Sequence, residues 1–330
     1  MYEKHFGLTK HPFSMTPEPA LLYMTPGHRE ALAGLAYAIL ERKGFVLLAG
    51  EAGTGKSTLL ARTMQCLPAN RVVSSVILNP TLTESEFLEL AMLDFGFTNV
   101  PASKAQRLMQ LQEFLMRVKQ AGKIAVLVID EAHKLAPSVL EEVRLLSNLE
   151  LPGEKLLQIV LAGQDEILEM LDRPELRQFS QRISVRLTLS PLLPADIEQY
   201  VALRWAKAGA ETPPPFTSEA YDEIAQSSRG IPRLVNALCD NALTTAFVEK
   251  PPVVAARHVR EAARDLGLSR SRNEAAAARN GAVAMMTARI ASAPENGAVP
   301  LRAAAAPRMA GQARLPGWMT ALGLARRERK

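Results

Sequence analysis

The residues GEAGTGKS, positions 50–57, set three glycines, a lysine and a hydroxyl at the spacing G-x-x-x-x-G-K-S. That spacing is the phosphate-binding P-loop. Gly50, Gly53 and Gly55 let the backbone turn tightly and bring N–H groups to an anion with no Cβ in the way. Lys56 can reach the β- and γ-phosphates of ATP, and the Ser57 hydroxyl can ligate Mg²⁺. The helix that opens at Ser57 adds the positive end of its dipole beneath the phosphates. The predicted nucleotide-binding set is therefore Gly50, Glu51, Ala52, Gly53, Thr54, Gly55, Lys56, Ser57 and Thr58. A Gly-rich turn with a chance lysine is the alternative, and the flanks speak against it. Phe45 to Ala49 read as a buried strand, and Thr58 to Cys66 as a helix with Leu59, Leu60 and Thr63 on one face.

A second chemical station is Asp130–Glu131, which ends the apolar run IAVLVI. An acid at the carboxyl end of a buried strand can hold Mg²⁺ through water beside Ser57, and its neighbour can orient and polarise the attacking water. The plain reading is that the pair starts a helix, as an N-cap followed by a first-turn acid. His133 reads more readily as a solvated residue than as a catalyst. The letters DEAH also spell a helicase motif. A helicase of that kind needs a second nucleotide-binding-type domain, and only about 80 residues, helical in pattern, separate Ser190 from the C-terminal tail.

These stations need a scaffold. Residues 1–26, rich in Pro and aromatics, read as an extended segment laid over a surface, with Phe6, Phe13 and Tyr23 as anchors. His28 to Arg42 reads as an amphipathic helix. Strands follow at Phe45–Ala49, Val72–Leu78, Ile124–Ile129, within LLQIVLAGQ, and at about 183–189. Helical segments lie between them around 83–95, 103–121, 137–149 and 165–172. Strands alternating with helices imply a parallel sheet covered on both faces. Cys66 and Cys239 lie far apart in apolar helical patterns without metal spacing, which suits reduced thiols and a reducing compartment. The N-terminus shows no signal-peptide pattern, and no run of about 18 uncharged apolar residues occurs.

The chain of 330 residues carries a net charge of +5, unevenly spread. Residues 269–330 hold eleven Lys and Arg against three Asp and Glu, leaving 28 against 31 in the first 268 residues, a net of −3. The body is slightly acidic, which disfavours a broad DNA-binding face on it. The tail is Ala-, Arg- and Pro-rich, too poor in large apolar residues to build a core, and is expected to be disordered. Its last piece, LPGWMTALGLARRERK, has the pattern of a short basic amphipathic helix with Trp318, Met319, Leu322 and Leu324 together, suited to a membrane surface or a partner groove.

Taken together, MYEKHFGLTKHPFSMTPEPALLYMTPGHREALAGLAYAI, GFVLLAGEAGTGKSTLL, VLVIDEAHKL, IVLAGQDEI, LRQFSQRIS and GIPRLVN resemble the AAA+ ATPases of the general secretion pathway protein A type. Pilus-assembly, exosortase-associated and, more distantly, transposition ATPases are related. The resemblance covers residues 1 to about 268 and implies a P-loop NTPase of the α/β class. Its parts would be an N-terminal linker and lead helix (1–43), a nucleotide-binding domain with a parallel five-stranded sheet covered by helices (44–190) and a small all-helical lid (191–268). The tail (269–330) departs from the family, whose secretion members often continue into a membrane span and a peptidoglycan-binding domain.

By the same resemblance, Gln164 stands at the sensor-1 position and Arg233 at the sensor-2 position. Asn79 stands where relatives hold the catalytic glutamate in an inactive pose, although Asn before Pro80 is also ordinary turn chemistry. Arg182 stands where the family offers an arginine finger to a neighbouring subunit, with Arg177 the runner-up. The resemblance implies ATP and Mg²⁺ as cofactors, a homo-oligomer, a protein partner in a membrane-associated assembly, and a cytoplasmic location peripheral to the inner membrane. A DNA-bound regulator is the alternative function.

Overall fold

In a computed structural model, residues 2–268 are described, except 79 and 252. The expectations placed on Asn79 and on the tail, including its last amphipathic segment, lie outside the described residues. The chain divides into two compact units, 1–262 and 263–330; of the second, only the last residues of a helix and a turn are described.

Three strands are buried along their whole length: β1 (Phe45–Gly50), β3 (Ile124–Ile129) and β6 (Leu157–Gly163). Two are half-covered: β2 (Val72–Ile77), and β7 (Ile183–Leu189), whose side chains alternate in burial. They form one parallel sheet in the order β2-β3-β6-β1-β7. The fully buried runs thus occupy the centre, where helices cover both faces, and the half-covered ones occupy the edges. A separate two-stranded hairpin, β4 (Glu150–Leu151) with β5 (Glu154–Lys155), was not foreseen from the sequence.

The helices of this part are α1 (Pro26–Leu40), α2 (Lys56–Cys66), α3 (Glu84–Asp94), α4 (Lys104–Gln120), α5 (Pro137–Leu146), α6 (Glu166–Leu171) and α7 (Arg177–Ser180). Two of the long ones begin on a side-chain cap. Thr25 caps α1, its hydroxyl accepting from His28 N at 3.2 Å, with Pro26 fitting the first position. Thr83 and Glu86 make a reciprocal capping box at α3. On one face of the sheet, Leu47, Leu127, Ile129, Ile159 and Leu161 share a core with Phe87, Met92, Leu111, Leu115, Leu140 and Phe179. Burying a side chain of this size contributes about 1.5–3 kcal/mol, so this layer fixes the sheet on which the site is built.

After Leu189 the chain is helical: α8 (Pro194–Lys207), α9 (Ser218–Ser228), α10 (Pro232–Glu249) and α11 (Ala256–Asp265). The N-terminal segment lies across these helices rather than across the sheet. Arg204 of α8, buried, donates from Nε to the Pro12 carbonyl and from Nη2 to the Ser14 carbonyl, each at 2.9 Å. Phe6 meets Trp205 edge-on, Tyr23 meets Tyr200 edge-on, and the Tyr2 hydroxyl donates to Asp240 at 2.6 Å. Phe13 is fully buried as expected; Phe6 and Tyr23 are partly exposed.

Candidate nucleotide site

The carboxyl ends of three adjacent strands, β3, β6 and β1, carry Asp130, Gln164 and the loop 50–57 respectively. Register keeps these ends level, with Ile129 beside Leu161 and Ala49 beside Gly163. A crevice outside the carboxyl ends of parallel strands is where such sheets bind ligands. Here a cavity of about 340 Å³ is lined by Lys56, Ser57, Glu131, Gln164, His28, Tyr200, Arg233 and Asn236, with residues 14–18 and 21–23 along one wall.

The loop takes the backbone shape that glycine permits. Gly53 (φ 83°) and Gly55 (φ 101°) lie in the left-handed region, and Gly55 caps α2. At Gly53 a Cβ would come within 2.8 Å of Arg233 Cβ, so the loop's small residue is what admits α10. The contact is also polar: the Arg233 N–H, one of the free donors at the start of α10, reaches the Gly53 carbonyl at 3.4 Å. Gly230 (φ 76°) makes that approach possible. A Cβ on it would fall 2.0 Å from the Leu192 carbonyl oxygen, and its own carbonyl accepts from Leu192 N at 2.8 Å.

Lys56 is buried, with its ammonium donating to the carbonyls of Gly50 at 2.6 Å and Glu51 at 3.0 Å. Burial lowers its pKa, against the pull of Glu131, Asp130, Asp165 and Glu166. Ser57 Oγ donates to Asp130 Oδ2 at 2.5 Å, and Asp130 Oδ1 accepts from Glu131 N at 2.8 Å. A hydroxyl beside a carboxylate is a hard oxygen pair that suits Mg²⁺, which takes one or two protein oxygens and completes its shell with water and phosphate. Among the described residues no group of three or more His, Cys, Asp or Glu could hold a metal by itself.

Glu131 stands in the left-handed region (φ 54°), an uncommon conformation that turns its side chain out of the strand direction into the cavity. Lys134 lies 2.9 Å from its Oε2 and His133 Nε2 3.7 Å from it. Burial pushes the Glu131 carboxyl up, but Lys134, His133 and Lys56 outweigh it and hold the group below the usual carboxylate range. His133 is not the solvated residue its sequence suggests: its side chain is 11% exposed, and its Nδ1 accepts from Gln164 N at 3.3 Å. The backbone of His133 also lies close to β6, since a Cβ on Gly163 would stand 3.2 Å from His133 N. His28 was likewise missed. It is buried, with Nδ1 2.7 Å from Thr25 Oγ1 and Nε2 3.3 Å from the Thr54 carbonyl.

Arg182 is not part of this cavity. Its guanidinium donates to Ser147 Oγ at 2.7 Å and Asn148 Oδ1 at 2.6 Å, while Arg177, at the start of α7, is exposed.

An AAA domain family matches residues 39–171. The general secretion pathway protein A of Aeromonas hydrophila is 44% identical over 248 residues, 75% of this chain and 45% of that protein. The chain carries an AAA domain on the P-loop NTPase fold of the AAA+ class. It is similar to the general secretion pathway protein A and spans about half the length of that relative. The ORC2 protein of Aeropyrum pernix superposes with a TM-score of 0.59 at 16% identity, covering 78% of this chain and 71% of the other. Cdc6p of Pyrobaculum aerophilum gives 0.56 at 20%, covering 77% and 70%. At such identities these two structures bear on the fold alone. It is the AAA+ fold: a parallel five-stranded sheet followed by a helical part. Among the described residues no helix is long and apolar enough to cross a membrane.

Proposed function

We propose that this chain binds Mg²⁺–ATP and hydrolyses it to ADP and phosphate, as the switch or motor of an assembly in secretion, envelope assembly or exopolysaccharide export. The observation that carries this reading is the convergence of Lys56, the Ser57–Asp130 pair, Glu131, Gln164 and Arg233 on one cavity. Loop amides and Lys56 bind the phosphates; Mg²⁺ at Ser57 and Asp130 would supply charge neutralisation when bound. Glu131 orients and polarises the attacking water, and Gln164 holds the third phosphate or that water. Arg233, tied to the loop at Gly53, couples the helical lid (191–268) to the nucleotide state of the 44–190 domain. The binding test is displacement titration. Lys56→Ala should weaken both ATP and ADP, and undiminished affinity would remove Lys56 from the phosphate site.

The secretion role and the cytoplasmic, membrane-peripheral location rest on similarity to the Aeromonas protein. We take the active form to be a homo-oligomer in which Arg182, or Arg177, completes a neighbour's site. The tail, through 315–330, is the part assigned to a membrane surface or partner protein. Complementation of a strain lacking this chain, scored by export of envelope or secreted material, tests the role; normal export without it would reject it.

A further inference from the structure

Glu131 has two basic side chains beside it, and they differ in how they are held. His133 is fixed: its ring is nearly enclosed and its Nδ1 is engaged by the Gln164 amide. Lys134 is not. Its side chain is 52% exposed, it ends a single turn of 3-10 helix (Ala132–Lys134), and its ammonium lies 2.9 Å from Glu131 Oε2. It also lines the same cavity as Lys56, Gln164 and Arg233. A carboxylate held by an ammonium is a poorer water-polarising group than a free one, because the ion pair stabilises its charge. Lys56 is placed differently: it is buried, and its ammonium sits on two loop carbonyls and not on the Glu131 carboxylate.

We propose that Lys134 exchanges partners during the cycle, holding Glu131 in an idle pose until the third phosphate arrives and then moving to that phosphate, which frees the carboxylate. This rests on the ATPase reading above and adds to it a residue that tells a triphosphate from a diphosphate. A terminal phosphate carries more negative charge than a carboxylate and offers more acceptor oxygens, so it wins a hydrated, half-exposed ammonium at small cost. The loop-borne position makes the exchange local, with no strand or helix required to move.

The test is equilibrium binding of ADP and of the β,γ-imido analogue of ATP, by displacement of a fluorescent nucleotide from the full chain. Lys134→Met should reduce the preference for the triphosphate about tenfold, with ADP affinity unchanged. Lys134→Arg should restore the preference. In a Glu131→Gln background, where no carboxylate competes for Lys134, the analogue should bind several-fold more tightly than to the unaltered chain, and adding Lys134→Met should erase that gain. A triphosphate preference within about twofold of the unaltered chain in Lys134→Met, while the unaltered chain still binds and hydrolyses ATP, overturns the proposal alone. Equal weakening of both nucleotides overturns it too, as the mark of a merely structural lysine. Binding of neither nucleotide by the unaltered chain overturns the ATPase reading and takes this proposal with it.

Discussion

Ser57 Oγ and Asp130 Oδ2 lie 2.5 Å apart although 73 residues separate them, joining the first turn of α2 to the end of β3. The backbone makes the meeting reproducible. Asp130 N donates to the Ile77 carbonyl at 2.9 Å, so the carboxylate leaves β3 from a position fixed by β2. This pair predicts how the protein responds to Mg²⁺. Asp130→Asn should lower the Mg²⁺ affinity of the nucleotide-bound protein about 10–100-fold. Affinity for nucleotide in EDTA should stay unchanged. A Mg²⁺ titration that does not move would exclude Asp130 from the metal.

Gly230 is packed tightly within the helical part, against the segment that leads into α8. With φ 76° and the Leu192 carbonyl 2.0 Å from where a Cβ would stand, Gly230→Ala must adopt a strained backbone and displace that carbonyl. The expected cost is about 2–4 kcal/mol. It should appear as a lowered urea midpoint together with weakened nucleotide binding, because Arg233 follows three residues later. Unchanged stability would mean that the Leu192–Gly230 contact yields without cost.

His28 gives the protein a pH response. Burial lowers its pKa below 6.5, partly offset by the Thr54 carbonyl. The folded state therefore binds this proton less readily than the unfolded chain. The stability from keeping His28 neutral is fully present above pH 6.5 and is lost as pH falls through the depressed folded value. His28→Gln should flatten the decline in urea midpoint between pH 7.5 and pH 5.5. An identical decline in both proteins would assign the pH dependence elsewhere.

The arginine finger is tested by mixing. An arginine finger contributes roughly 10³–10⁵ in rate with little effect on ground-state binding. Arg182→Ala should therefore retain nucleotide affinity and lose turnover, and Lys56→Ala protein should partly restore activity to it. Because Arg182 is tied to Ser147 and Asn148 within its own chain, the exposed Arg177 calls for the same pair of measurements. Turnover per chain that is independent of concentration, without rescue in either mixture, would contradict a site shared between subunits.

The central strands of the sheet were legible because β1, β3 and β6 are covered on both faces and so read as apolar runs, broken only by Gln158 in β6. Most helix bounds differ by one or two residues, as at α1, which begins at Pro26 under the Thr25 cap instead of at His28, while α5 stops at Leu146, three short of the expected 149. The loop and the acid pair carried their own spacing. What escaped was set by topology. Nothing near position 133 reports that its imidazole is nearly enclosed and accepts from the backbone of Gln164, 31 residues on. Nothing near Arg204 reports that its partners are the carbonyls of Pro12 and Ser14. The β4–β5 hairpin has two residues per strand, too few for any period to register. Lys134 belongs to no motif, and its pairing with Glu131 follows from the left-handed turn at Glu131 beside it.

The central claim is hydrolysis of ATP at this cavity by a water that Glu131 polarises. The most direct measurement is nucleotide affinity and steady-state phosphate release on the full chain with Glu131→Gln, which keeps the shape and removes the base. General-base catalysis contributes about 10²–10⁴ in rate, so the variant should bind Mg²⁺–ATP at least as tightly as the unaltered protein and release phosphate at least about a hundredfold more slowly. Equal phosphate release by the two proteins would contradict the account.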